Sequence, residues 1–496
     1  MYNSVVIIGS GLGGLSCGVV LAKNGYNVTV LEQSAQIGGC LRCFYRKGTK
    51  FETGMHFIGS ASEGQTLDRL FRFLEIKGDV ALSQLDPTGY DVICLKGQKY
   101  KFATGKERFI EQMSQYFPKQ RENLIKYYNL IEEVSSASTL HSLKHAETDA
   151  YVNTKYQLTS INEVIDSIIT DPLLAQVLVG NLPLYAAQKD KTPFSAHAFI
   201  MDFYNQSAYR IVGGSDSIAT SLHNTILKYG GSVLTNKKVS KILCNDSQAI
   251  GVEVNGCDFI SADYIISDAH PIRTLELLDT KLIRAAFRER VYAIPQSIGG
   301  FSVYLRFKDN SVPYMNSNYY AYTCDSPWDA ESYTDNTWPK GFLYMHLCDD
   351  ENSHFAKSGV MLSYMKIADV EKWRGTNIGH RGADYEQFKR EKAEKMIDLL
   401  CQHFPEIKDK ISDYYTSTPL TYLDYTGTEN GSMYGCVKDV NKSMEYRVPH
   451  KTKIPNLFLT GQNINSHGIL GVIVGTIVTC SEFLTAQKLY KQILDS

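Results

Sequence analysis

Residues 5–14 of the chain read VVIIGSGLGG. The β-branched run at the start of this stretch is typical of a buried parallel strand, and the glycines after it match G-x-G-x-x-G. A helical pattern follows over residues 15–23, and a second strand over Asn27–Leu31 ends in Glu32. This order of strand, glycine turn, helix, strand and acid predicts a βαβ unit that binds a dinucleotide.

Each part of the predicted unit has a role in holding a pyrophosphate. Gly9 permits the tight turn, Gly11 lets the backbone approach the phosphates, and Gly14 lets the helix pack close to the strand. The free N–H groups and the positive end of the helix dipole attract phosphate oxygens. Glu32 is placed to accept hydrogen bonds from an unphosphorylated adenosine ribose. A glycine-rich turn that binds nothing is disfavoured, because both strands and the acid stand in register.

Segments at both ends of the chain favour a flavin over a nicotinamide cofactor. Residues 38–42 read GGCLR and residues 51–59 read FETGMHFIG, where a nicotinamide dehydrogenase normally continues into another βα unit. Near the other end, residues 456–462 read NLFLTGQ and predict a strand that enters a glycine turn. The pattern over 467–489 then predicts one helix of small and apolar residues. Mid-chain, residues 232–243 read as strand material that contains Val239.

Together these segments resemble the FAD-dependent oxidoreductases of the phytoene desaturase and carotenoid isomerase type, most of all their retinol saturase branch. The resemblance implies an α/β fold, with a Rossmann-type FAD-binding domain of the GDI and amine oxidase kind and an inserted α+β substrate domain. Residues 1–75, 205–290 and 455–496 would form the discontinuous FAD-binding domain. Residues 76–204 and 291–454 would form the substrate-binding domain.

The resemblance also implies which residues contact FAD. Residues near 38–42 and 55–56 would wrap the pyrophosphate and ribityl chain, and the backbone of Val239 would meet the adenine. The expected contacts are Gly9, Gly11, Leu12, Gly14, Glu32, Gln33, Gly38, Gly39, Leu41, Arg42, Met55, His56, Val239, Gly461, Gln462, Gly471 and Val472. The family commonly has an acidic residue after the first glycine of the turn that corresponds to Gly461. Here Gln462 and Asn463 are neutral, which leaves one contact unassigned.

The function implied by the resemblance is reduction of a C=C bond in a conjugated isoprenoid such as a retinoid or carotenoid. His56 is the candidate proton donor to a substrate carbon, since histidine titrates near neutrality, and packing or a flavin hydrogen bond is its alternative role. A carotenoid-type desaturase and a flavin-dependent cis-trans isomerase are the main alternatives. An amine oxidase and a prenyl or lipid carrier that does not use flavin remain less favoured alternatives. The 32 tyrosines suit an aromatic wall for a long flat polyene, although ordinary core positions explain single clusters equally well.

Composition limits the other partners. A net charge of −2 over 496 residues gives no electrostatic basis for nucleic-acid binding. The 11 cysteines show no disulfide-scaffold spacing, which favours reduced thiols and a cytoplasmic protein, with peripheral membrane contact left open. Cys40 and Cys43 have redox-dithiol spacing or are two buried thiols, and no metal site is predicted. No second G-x-G-x-x-G is present, so we expect an external electron donor or acceptor.

Overall fold

The computed structural model describes residues 3–138, Leu143 and residues 150–496. Residues 1–2 of the predicted FAD-binding domain lie outside the described residues, as do residues 139–142 and 144–149 of the predicted substrate domain.

The strands and helices are numbered in chain order. The strands are β1 (Ser4–Ile8), β2 (Asn27–Leu31), β3 (Cys43–Arg46), β4 (Thr49–Glu52), β5 (Ile58–Gly59), β6 (Leu82–Gln84), β7 (Asp91–Leu95), β8 (Gln98–Phe102), β9 (Ala208–Ile211), β10 (Ser232–Leu234), β11 (Val239–Cys244), β12 (Ala249–Val254), β13 (Asp258–Ser261), β14 (Tyr264–Ser267), β15 (Gly299–Phe307), β16 (Asn318–Tyr322), β17 (Gly341–His346), β18 (Ser358–Met365), β19 (Ile411–Ser417) and β20 (Leu457–Leu459). The α-helices are α1 (Leu12–Lys23), α2 (Thr66–Phe73), α3 (Lys106–Tyr116), α4 (Arg121–Ser136), α5 (Ala150–Gln157), α6 (Ile161–Ile168), α7 (Pro172–Leu178), α8 (Phe194–Gln206), α9 (Asp216–Lys228), α10 (Pro271–Glu276), α11 (Ala285–Tyr292), α12 (Ala383–His403), α13 (Pro419–Thr426), α14 (Gly468–Cys480) and α15 (Ala486–Leu494). Short 3-10 helices include Gly39–Leu41.

A five-stranded parallel sheet contains the predicted βαβ unit. Its strand order is β10-β2-β1-β14-β20, and Val5 of β1 pairs with Val28 of β2 on one side and with Tyr264 of β14 on the other. The strands come from the beginning, the middle and the end of the sequence. Because all five are parallel, their carboxyl ends meet at one edge, where ligands bind in open α/β sheets. The predicted Rossmann-type fold class is confirmed.

Helix α1 begins three residues earlier than the pattern over 15–23 predicts. Gly11 is its N-cap, so the glycine turn itself supplies the first helical turn. Beyond its carboxyl end, Gly25 adopts φ +87°, the left-handed conformation that ends helices. The residues of α1 from Leu12 to Ala22 are all buried, which explains why small residues run through the helix.

A seven-stranded sheet forms the other large layer of the molecule. Its order is β19-β15-β18-β17-β16-β7-β8, and only β16 and β7 pair in parallel. The helices between Lys106 and Gln206 share a hydrophobic core with this sheet. The sheet therefore joins residues from before and after the mid-chain FAD segment. The domain boundaries given above stay a prediction.

The predicted bounds of two elements were wrong, because each is divided into two in the structure. The helix predicted over 467–489 is two helices, α14 and α15. Phe483 lies in the break and packs its ring against Tyr26, Tyr264 and Phe458, a tertiary contact that no local pattern reveals. The strand material predicted over 232–243 is also two strands, because Asn236 turns the chain at φ +55° from β10 into the separate antiparallel sheet of β11.

The most apolar helix lies inside the protein. In α14 every residue is buried except Gly468 and Val478, as expected for a core helix. Among the described residues, no helix combines the length and the apolar character needed to cross a membrane.

The glycine turn leaves no room for a side chain at Gly14. A Cβ there would collide with the carbonyl oxygen of Gly9, which is backbone and cannot rotate away. We expect Gly14→Ala to lower the free energy of unfolding by about 2–3 kcal/mol, as overpacking does. Gly78→Ala is the matched control, because a Cβ at Gly78 meets no atom within 4 Å. Urea denaturation followed by circular dichroism measures both, and equal midpoints for the two variants would contradict the packing argument.

Candidate active site

Two glycine turns pack directly on each other at the edge of the parallel sheet. The N–H of Gly9 donates to the carbonyl of Leu31 at 2.8 Å, and the N–H of Gly38 donates to the carbonyl of Ser10 at 2.9 Å. A Cβ at Gly39 would lie 3.2 Å from the Cα of Gly11. The backbone therefore forms a cradle that only glycines permit. Leu12 and Leu41, both predicted contacts, are buried beside it.

Glu32 binds four donors of the protein at the end of β2. Its Oε2 accepts from the N–H and the Oγ–H of Ser10 at 3.1 and 2.6 Å. Its Oε1 accepts from the N–H of Ser34 at 2.8 Å and from the guanidinium of Arg42 at 3.1 Å. A carboxylate has about four acceptor sites, so a ribose hydroxyl can bind Glu32 only by replacing one of these donors.

Arg42 is the donor with spare capacity. Its side chain is buried against Glu32, and its Nε is buried without a hydrogen-bond partner among the described residues. An unpartnered guanidinium N–H beside a glycine cradle suits an anionic group, because buried donors are nearly always satisfied. This orphaned donor, together with the cradle, fits the pyrophosphate of FAD.

The adenosine end of the predicted site is assembled by the mid-chain segment. The N–H of Lys237 donates to the carbonyl of Glu32 at 2.8 Å, and the N–H of Asn236 donates to the carbonyl of Ser34 at 3.0 Å. Val239 follows two residues later and is buried in the same core as Leu31. Gln33, by contrast, is exposed. The structure thus brings Val239 close to Glu32, while its contact with adenine stays a prediction.

Helix α14 passes the glycine turn and projects beyond it. The hydroxyl of Thr476 donates to the carbonyl of Gly13 at 3.4 Å, so this level of the helix touches α1. The N-terminal end at Gly468 then lies about 12 Å further along the axis, at 1.5 Å per residue. Gly461 packs next to Gly13, because a Cβ added at Gly13 would lie 3.0 Å from the Cα of Gly461. Gly471 and Val472 are buried on the projecting turns, and Gln462 is half-buried after the turn.

His56 is held by a buried carboxylate. Its Nδ1 lies 3.3 Å from Oε2 of Glu52, whose Oε1 accepts from the N–H of Ser215 at 3.0 Å. The carbonyl of His56 accepts from the guanidinium of Arg210 at 3.2 Å. The imidazole is therefore fixed through one ring nitrogen, which leaves Nε2 for contact with a ligand. Met55 beside it is partly buried against the core of the parallel sheet.

The two cysteines with dithiol spacing are free thiols in an unfavourable setting for thiolate chemistry. Burial raises the pKa of Cys40 to about 11 and the pKa of Cys43 to about 12. Reactive dithiols have pKa values below the usual range, so the structure favours two structural thiols. Within the described ranges, no group of three or more His, Cys, Asp or Glu side chains is arranged to hold a metal ion.

Lys438 and His467 lie at the start of α14, and the sequence pattern indicated neither of them. The Lys438 ammonium donates to the carbonyl of Asn465 at 2.5 Å, and burial lowers the pKa of this lysine to about 8. Burial, with the nearby charge of Lys438, lowers the pKa of His467 to about 3. Each is a lone residue without a motif, so no spacing signal could have identified it.

Four tyrosines, two of them on strands β16 and β18 of the seven-stranded sheet, form an aromatic cluster that we call the tyrosine wall. The wall consists of Tyr322, Tyr364, Tyr422 and Tyr434, packed with Ile298, Leu362 and Met433. Their hydroxyls donate to the backbone carbonyls of Gly180, Leu182, Thr53 and Pro183 respectively, at 2.7, 3.3, 3.4 and 2.8 Å. The ring of Tyr434 lies 4.7 Å from that of His467. Since the hydroxyls are bonded to backbone, the wall offers ring surface rather than polar groups.

The chain is similar to one protein family, to known enzymes and to solved structures. The family model described as flavin containing amine oxidoreductase matches residues 12–479. The all-trans-retinol 13,14-reductase of Rattus norvegicus is 28% identical over 538 residues, covering 98% of this chain and 86% of the relative. The chloroplastic prolycopene isomerase 1 of an Oncidium hybrid cultivar is 24% identical, covering 95% and 82%. The crystal structure of an oxidoreductase from Methanosarcina mazei matches with a TM-score of 0.65 at 17% identity, covering 96% of this chain and 100% of that chain.

The ion pair of Glu32 and Arg42 can be tested by a double-mutant cycle. The two side chains are 7% and 10% exposed, so each loses a buried partner when the other is replaced. We expect Glu32→Gln and Arg42→Met each to lower the free energy of unfolding by about 3 kcal/mol. The double variant should be more stable than the sum of the two effects predicts, by about 1–3 kcal/mol.

The control for this cycle is Lys442→Met, which breaks an exposed pair with Glu445 and should leave the unfolding curve unchanged. Additive effects of the two site substitutions would show that the pair does not act as a unit.

Proposed function

Because the chain belongs to the flavin-containing amine oxidoreductase family, we propose that it reduces a C=C bond of a conjugated isoprenoid such as a retinoid or carotenoid. The family match confirms the predicted oxidoreductase class and FAD as its cofactor. The predicted resemblance to the carotenoid-type enzymes is also confirmed, since the chain is similar along almost its whole length to a retinol reductase and a prolycopene isomerase.

The observation that carries the proposed substrate class is the tyrosine wall. Its rings lie between Thr53 and His467 of the flavin segments and the backbone at 180–183 of the substrate half. An apolar aromatic surface with no free hydroxyl recognises a flat conjugated chain through stacking and burial. The wall therefore suits a polyene.

Reduced FAD, when bound, supplies a hydride equivalent for the C=C bond. The chain holds the dinucleotide with the glycine cradle, with Arg42 at the pyrophosphate and with Glu32 at the ribose. The tyrosine wall orients the polyene and excludes water. The remaining task is delivery of a proton to the second carbon of the double bond.

We assign this proton delivery to His56. The pair with Glu52 fixes Nδ1, so that Nε2 would carry the transferable proton when the imidazole is protonated. Glu52 is 5% exposed and is itself held by the N–H of Ser215, which keeps the imidazole in one orientation. A positioned acid of this kind contributes about 10²–10⁴-fold to a proton-transfer rate.

A flavin-dependent isomerase is the second candidate function, favoured by the similarity to prolycopene isomerase 1 over 95% of this chain. Such an enzyme would use the same cofactor site and the same tyrosine wall, but its product would have the mass of its substrate. A desaturase removes two hydrogens, and a carrier changes nothing. Product mass therefore separates reduction from desaturation, and chromatographic retention separates an isomer from unchanged substrate.

Product analysis tests the proposed direction of the reaction. The purified protein, loaded with FAD and reduced anaerobically with dithionite, is incubated with all-trans-retinol or prolycopene and analysed by chromatography with mass spectrometry. We expect a product two hydrogens heavier, because reduced flavin adds a hydride and a proton across one double bond. The control is Gly11→Val, whose side chain would collide with the Asp268 carboxyl in the cradle. An isomer of unchanged mass, or loss of two hydrogens, would contradict the saturase proposal.

Substitution of His56 tests the proton donor. We expect His56→Gln to lower the rate of product formation per bound FAD by about 10²–10⁴-fold, since proton delivery is removed. His223→Gln is the control, because His223 is half-buried on α9, where its Nδ1 pairs with the neighbouring Asn224. A His56→Gln variant with the wild-type rate would show that another group or water delivers the proton.

A further inference from the structure

Asp268 lies in the centre of the glycine cradle; the stretch Ser267-Asp268-Ala269 contributes to the family resemblance but assigned Asp268 no role in the site. It follows β14 directly, and its N–H donates to the carbonyl of Ile8 at 2.8 Å. A Cβ at Gly11 would collide with Oδ2 of Asp268, and a Cβ at Gly13 or Gly461 would lie 2.5 Å from Oδ1. Glycines from two separate turns are thus required by this one carboxyl group.

The Asp268 carboxyl faces the same donors that a dinucleotide needs. The carboxyl lies at the start of α1, beside the backbone N–H groups of Gly11 and Gly14, because a Cβ at Gly11 would collide with Oδ2 and a Cβ at Gly14 would lie 3.3 Å from the Cβ of Asp268. These N–H groups form the phosphate-binding end of a Rossmann unit. A carboxylate and a pyrophosphate would therefore bring like charges to one helix N-terminus, which is unfavourable in a site with little water.

The charged neighbours of Asp268 do not offset its charge. Glu32, at the end of the adjacent strand, adds a second negative charge. Arg42 is the nearby cation and is already paired with Glu32 at 3.1 Å. The Cys40 thiol stays neutral because burial raises its pKa to about 11, and the 461–463 turn has no ionisable side chain. On its own loop, His270 is bound to Gln296 at 3.0 Å.

Burial and the charge of Glu32 together raise the pKa of Asp268 to about 7, against the opposing effect of the two backbone N–H groups. Burial and the neighbouring negative charge therefore both favour the neutral form of the carboxyl. A bound pyrophosphate adds negative charge and shifts the group further towards its neutral form.

We propose that Asp268 is a cofactor-positioning residue whose carboxyl is neutral in the FAD complex, so that binding of FAD takes up one proton at Asp268. The proton comes from the solvent and no covalent bond changes. The proposal rests on the proposed function only in that the chain binds FAD. It follows that affinity for FAD falls as the pH rises above the pKa of Asp268, towards tenfold per pH unit, because the ionised carboxyl must first be protonated.

Calorimetry on the FAD-free protein tests the proposal without any turnover. FAD is titrated at pH 6.0, 7.0 and 8.0 in buffers of different ionisation enthalpy, which gives the number of protons taken up. We expect uptake to rise towards one proton per FAD at pH 8.0 in the wild-type chain and to be absent in Asp268→Asn. The matched control is Asp246→Asn, an exposed carboxyl distant from the cradle, which should retain the wild-type uptake.

The outcomes separate the proposal from the function on which it rests. If the wild-type chain binds FAD without proton uptake at pH 8.0, the proposal for Asp268 is overturned, even if the Asp268→Asn variant fails to fold. Equal uptake in wild type and Asp268→Asn also overturns it, because another group would then be the acceptor. Binding of FAD to none of the proteins would instead contradict the cofactor assignment.

Discussion

The structure depends on one steric constraint, the approach of three chain segments to backbone contact at the edge of the parallel sheet. The glycine turn after β1 and the turn after β20 meet around the Asp268 carboxyl, and the turn before the 3-10 helix at Gly39–Leu41 packs on the first of them. A side chain at Gly11, Gly14 or Gly461 would collide with the backbone or with that carboxyl. Close packing of this kind transmits strain, so the cradle exists only when residues from the beginning, middle and end of the sequence are folded together.

The local part of this arrangement could be predicted from the sequence. The β1–α1–β2 unit and Glu32 follow from a pattern within about thirty residues, and short-range periodicity is the strongest signal a sequence carries. Asp268 could not be found in this way, because the Gly11 and Gly461 that surround it are about 200 or more residues away. The break between α14 and α15 could not be predicted for the same reason, since Phe483 packs against the distant Tyr26 and Tyr264. The contact of Val239 with adenine and the proton transfer by His56 stay predictions.

The substrate half was the harder part to predict. Tyrosine abundance suggested an aromatic surface, but only the structure shows which tyrosines meet and that their hydroxyls are bonded to backbone carbonyls. That detail decides the chemistry, because a free phenol would make the same surface polar. Burial also shifts the ionisable groups nearby: it lowers the pKa of Lys438 to about 8 and raises the pKa of Cys40 to about 11. In both groups burial therefore favours the uncharged form.

The central claim is that distant segments of the chain build one FAD site. The absorption spectrum of freshly purified protein, recorded before and after anaerobic dithionite, tests it most directly. The account predicts a visible flavin band that bleaches on reduction, with one FAD released per chain on denaturation. A colourless protein that also fails to bind added FAD would contradict the account and would favour a lipid carrier on the same fold.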